Sequence, residues 1–81
     1  MSKLDKVLAR VMSGERDANI AFADLCLLLR KLDFDERAGK GSHRVFTHGG
    51  FLISLQTDGS KAKSYQVRQV RDQLREMGHT Q

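Results

Sequence analysis

Eighty-one residues, 40% of them hydrophobic and 30% charged, suffice for one small core and no more. No apolar run approaches the roughly 20 residues of a membrane span, and the charged, amphipathic N-terminus lacks the apolar stretch of a secretory signal. A single cysteine, Cys26, set among leucines, excludes a disulfide-built fold, so we expect a cytoplasmic protein without a membrane partner. The net charge of +4 is unevenly spread. Residues 1–38 hold seven Lys/Arg and seven Asp/Glu, whereas residues 39–75 hold seven Lys/Arg against two Asp. Such asymmetry favours an anionic partner, most often nucleic acid, over a merely solvated basic surface.

In chain order, Leu4, Val7, Leu8, Val11 and Met12 follow the i, i+3, i+4, i+7, i+8 spacing of an amphipathic helix over 3–13. Ser2 serves as its N-cap and Gly14 as its stop. A polar connection leads to a second helix over 21–32, with Phe22, Leu25, Leu28, Leu29 and Leu32 inward and Cys26 and Leu27 widening that face. Three strands follow: a short polar one at 34–38, a second at 42–48, and a third at 51–56. His48-Gly49-Gly50 is a hairpin signal and makes the last two antiparallel. Residues 57–63 read as a polar loop. A third helix over 65–77 carries Val67, Val70, Leu74 and Met77 on one side, with Ser64 as N-cap and Gly78 as C-cap. The order α-α-β-β-β-α predicts a single α+β domain, its antiparallel sheet covered on one face by helices.

Chemistry concentrates in Gly39-Lys40-Gly41-Ser42-His43-Arg44-Val45-Phe46. Glycines permit a tight turn and close approach to another molecule, lysine adds charge, and histidine exchanges protons near neutral pH. If Phe46 faces the core, strand alternation puts His43 on the open face; if Val45 does, His43 lies over the core edge. Phenylalanine buries more area, which favours Phe46 inward. Lys61 and Lys63, opening the last helix, suit a phosphate or are simply solvated. Arg68, Arg71 and Arg75, at i, i+3 and i+7, read by default as an exposed helix face, which could grip a backbone, dock an acidic partner or pair locally.

His43, His48, His79 and Cys26 lack metal-ligand spacing, and neither a phosphate-binding loop nor a dinucleotide fingerprint is present. We therefore expect no metal and no cofactor. One histidine with positive charge suits RNA cleavage, in which the 2′-hydroxyl is an internal nucleophile.

The leucine-rich helix, with Leu28-Leu29-Arg30-Lys31-Leu32-Asp33-Phe34, and the following Gly39-Lys40-Gly41-Ser42-His43-Arg44-Val45-Phe46 resemble the HicA toxins of bacterial HicAB toxin–antitoxin systems. The resemblance spans residues 20–78, leaving 1–19 as an N-terminal helical extension. It implies a double-stranded-RNA-binding-like (dsRBD-like) fold, a metal-independent mRNA endoribonuclease activity, and neutralisation by a HicB-like antitoxin. The family's histidine maps onto His43 as the catalytic residue, and its glycine and serine onto Gly41 and Ser42. With Lys40, Arg44, Lys61 and Lys63 these complete the expected RNA-binding set. The last helix departs from the family pattern, with Lys63-Ser64-Tyr65 where a lysine and Gly-Thr are usual. The alternative from a different class is a non-catalytic module that binds RNA or a protein partner.

Overall fold

The computed structural model describes residues 2–41 and 43–79. Helix α1 (Lys3–Ser13) opens on a reciprocal cap: Asp5 N–H donates to Ser2 Oγ at 3.2 Å, and Ser2 N–H donates to Asp5 Oδ2 at 3.4 Å. It closes at Gly14, whose φ of 74° is left-handed. A short 3₁₀ turn, Asp17–Asn19, leads to α2 (Phe22–Lys31). Asp33, at φ 69°, reverses the chain after α2, and Phe34 N–H returns to the Leu29 carbonyl at 3.0 Å.

Strands β1 (Asp35–Ala38), β2 (Arg44–His48) and β3 (Phe51–Leu55) form an antiparallel sheet in that spatial order. Opposite residues include Arg37 and Val45, Phe46 and Ile53, and Arg44 and Leu55. Phe46, Ile53 and Leu55 are buried on one face, so Phe46 is the inward residue. They join Val7, Val11 and Met12 of α1, Leu25, Leu28 and Leu29 of α2, and Val67, Val70 and Leu74 of α3 (Ser64–Glu76) in one core. The first helix is thus built into the same core as the sheet. Truncating a fully enclosed side chain such as Phe46 to alanine would cost about 3–5 kcal/mol. The architecture is α+β, with three helices and a three-stranded antiparallel sheet. No helix among the described residues is long and apolar enough to cross a membrane.

The polar segment read as a loop is instead a two-stranded ribbon, β4 (Thr57–Asp58) and β5 (Lys61–Ala62), turning at Gly59 with φ 65°. Burial and backbone pairing explain it. Ala62 is enclosed and donates its N–H to the Ile20 carbonyl at 2.9 Å, while Phe22 N–H donates to the Ser60 carbonyl at 3.0 Å. The ribbon thereby supplies what the start of α2 lacks, since Ala21 has no capping side chain.

The arginines of α3 do not form an exposed row. Arg71 is buried, and its guanidinium reaches both Asp17 carboxylate oxygens at 2.8 and 3.2 Å and the Val11 carbonyl at 3.1 Å. It passes over Gly14, where a Cβ would lie 3.4 Å from the guanidinium carbon. Arg75 Nη2 contacts the Met12 carbonyl at 3.5 Å. These two cations meet the carbonyl end of α1, the pole that attracts positive charge.

The outer edge of β3 is closed by two glutamines, two turns apart on α3. Gln66 Oε1 accepts the Gln56 N–H at 2.7 Å, and Gln73 Nε2 donates to the Leu52 carbonyl at 2.8 Å. Exposed edges invite unwanted strand pairing, and here side chains occupy this one. The same contacts fix where α3 begins relative to the sheet.

Candidate active site

His43 stands at the entry to β2, where a tight turn joins it to β1. Its carbonyl accepts the Gly39 N–H at 2.9 Å, and its own N–H donates to the Lys40 carbonyl at 3.1 Å. Gly41 adopts φ 60°, a left-handed conformation that glycine takes without penalty. Gly39 is required for a different reason. A Cβ there would come 2.9 Å from His43 Cβ, a distance that real side chains do not tolerate. The absent side chain at Gly39 makes room for the histidine.

The ring is held as well. His43 Nδ1 lies 2.9 Å from the Lys40 carbonyl oxygen, which can only accept, so Nδ1 carries the proton. Nε2 is then the basic nitrogen of the neutral ring. When Nε2 takes a proton, the Nδ1 bond remains, so the ring can cycle between neutral and charged forms without turning.

Alternation from the inward Phe46 puts His43 on the open face of the sheet with Val45 and Thr47. Arg37 of β1, opposite Val45, is exposed on that face and diagonal to His43. Asp35, opposite Thr47, lies further along. On the other side, the β2–β3 register carried one residue beyond Arg44–Leu55 sets Gln56 beside His43. Gln56 is the residue held by Gln66, so the start of α3 borders the same end of the sheet. Lys63 immediately precedes that helix, and its carbonyl accepts the Gln66 and Val67 N–H groups at 3.0 Å. Ser64, expected as the cap, lies inside α3; Lys63 holds the cap position, without a side-chain cap bond.

The expected RNA-binding residues therefore divide. Lys40 is exposed in the turn, and its ammonium makes no ion pair among the described residues. Gly41 shapes the same turn. Ser42 lies outside the described residues. Lys63 is at the edge of this end of the sheet. Lys61 is further out, on the ribbon, with Nζ 3.0 Å from Asn19 Oδ1. Arg44 projects on the face opposite His43, with Nε 3.9 Å from Glu36 Oε2. Glu36 is gripped more closely by Arg30, at 2.6 and 3.0 Å. Those hydrogen bonds hold its carboxyl below the usual Glu range, and nearby Arg44 adds to the effect. Burial pushes the Cys26 thiol up to about 11, with the Glu36 charge adding to it, so Cys26 is a core side chain rather than a nucleophile.

Arg37 and Gln56 were not singled out from the sequence. Strand parity carried the signal for Arg37, but only the register ties it to His43. No pocket indents the surface among the described residues, so a ligand at His43 would lie along an open face. Compared with protein-family models, curated proteins and solved structures, the chain matches no family model, no curated protein and no solved structure.

Proposed function

We propose that the protein is a metal-independent endoribonuclease in which His43 moves the proton and the surrounding cations hold the phosphate. The observation that carries this reading is the place of His43 on the uncovered face of the sheet, diagonal to the exposed Arg37; its Nδ1 bond to the Lys40 carbonyl leaves Nε2 as the basic atom. In the reaction, Nε2 takes the proton of an RNA 2′-hydroxyl, and that oxygen bonds to the adjacent phosphorus. The bond from phosphorus to the 5′-oxygen breaks, and the proton returns to the departing oxygen. The products are a 2′,3′-cyclic phosphate and a 5′-hydroxyl end. Arg37 and Lys40 oppose the charge that builds on the phosphoryl oxygens, and Lys63 holds the strand further along. A correctly placed proton-transfer group contributes about 10²–10⁴-fold, which suits a small enzyme with one histidine.

The HicA resemblance supports the same reading and extends it. Helix, three antiparallel strands and helix, in the order α2, β1–β3, α3, are compatible with a dsRBD-like fold with α1 added. On this reading the substrate is mRNA, the protein is the toxin of a toxin–antitoxin pair acting in the cytoplasm, and a HicB-like antitoxin restrains it. The test is to incubate the protein with an RNA and the DNA of identical sequence, with a chelator in excess. Cleavage of RNA alone, leaving cyclic phosphate ends, is expected. Cleavage of both, or of neither, would overturn the ribonuclease and leave a binding module.

A further inference from the structure

The chain has five aromatic residues, four Phe and one Tyr. Phe34 and Phe46 are buried, and Phe22 and Phe51 are half-buried against the core. Tyr65 alone is displayed, at 52% exposure in the first turn of α3. A single exposed aromatic is ordinary on a protein surface. This one differs in its support and its neighbours. Tyr65 Oη lies 3.5 Å from Gln66 Nε2, and the other end of that amide, Oε1, holds the Gln56 N–H at 2.7 Å. Gln56 is the residue the register sets beside His43. Strands are spaced about 5 Å apart, so Tyr65 is linked to His43 through one intervening strand and one hydrogen-bonded side chain. Lys63 stands two residues before it, at the cap position of α3.

We infer that Tyr65 is a stacking platform for an unpaired base of the RNA lying across His43, which makes single-stranded RNA the substrate class of this site. The inference rests on reading this face as an RNA site. A flat ring with one face open accepts any base, because every base has a π-face. A paired base inside an A-form duplex keeps its faces stacked on its neighbours and offers none to the tyrosine. The ring thus selects for an unpaired strand while leaving sequence open. It also sets the strand's path, from the phosphate near Lys63 past Gln56 to the 2′-hydroxyl at His43.

The test measures binding of a short single-stranded RNA and of its duplex to full-length protein carrying His43→Ala, so that the RNA stays intact. Tyr65→Leu and Tyr65→Phe are added to that parent, and folding is checked by circular dichroism. Tyr65→Leu should weaken single-strand binding about 5- to 140-fold, the range for one base stacked on an aromatic ring. Tyr65→Phe, which keeps the ring and loses only the long hydroxyl contact to Gln66, should restore most of it, and duplex binding should be unchanged in both. Equal single-strand affinity for Tyr65→Leu and its parent would overturn the platform. So would an equal loss on duplex, or a parent that binds neither RNA. A protein that binds single strands through Tyr65 yet cuts none would refute the ribonuclease alone and leave the platform standing.

Discussion

Strand β2 begins near one histidine and ends on another, and the two rings meet different surroundings. At each, the ring's Nδ1 is tied to a backbone carbonyl: His43 to Lys40 at 2.9 Å, His48 to Asp33 at 3.1 Å. The difference lies in what the rest of the ring meets. His48 shares strand parity with Phe46, and its ring lies against Phe34, with centroids 5.3 Å apart and planes 40° tilted. It ties the end of α2 to the hairpin. His43 has the opposite parity, with a glycine opposite it and Arg37 diagonal to it. A hydrogen bond to Nδ1 is therefore no mark of function. What sets His43 apart is its place on the uncovered face of the sheet beside the exposed Arg37, whereas His48 meets an aromatic neighbour.

The largest effect that would sharpen this contrast should come from Gly39→Ala. The new methyl cannot occupy its place 2.9 Å from His43 Cβ, so the histidine must shift. Displacing a reacting group by an ångström costs about 100-fold in rate, and RNA cleavage should fall by that much while the protein stays folded. An unchanged rate in Gly39→Ala would mean that His43 need not sit where it does.

A smaller effect is expected at the opposite end. Asp33 holds φ 69°, a conformation that penalises a residue with a Cβ. Asp33→Gly relieves that penalty but adds chain entropy to the unfolded state, for a net gain of about 0.5–1 kcal/mol. The midpoint of denaturant unfolding should rise slightly with no change in cleavage rate. A rate change there would break the assignment of the His48 end to structure alone.

How much of this could be read from residues alone follows from the kind of interaction involved. The three helices rest on apolar stripes that repeat along one segment, and those are visible in the chain. The inward Phe46 follows from size, and with it the outward His43. The pairing of Arg37 with Val45, and the approach of Gln56 to His43, depend on register, which joins residues far apart in sequence. The ribbon at Thr57–Ala62 was unreadable for a related reason: its hydrogen bonds go to Ile20 and Phe22, not to a local pattern. Arg71 was misplaced because its i, i+3, i+7 spacing with Arg68 and Arg75 suggests an exposed row. Its partner Asp17 lies 54 residues away.

The most direct test compares RNA cleavage by wild type, His43→Ala and His48→Ala side by side, at a temperature where all three are folded. His43→Ala should lose at least about 100-fold in rate with little change in thermal stability. His48→Ala should melt earlier yet cut at the wild-type rate. Cleavage by His43→Ala at the wild-type rate, or loss of activity confined to His48→Ala, would contradict the account.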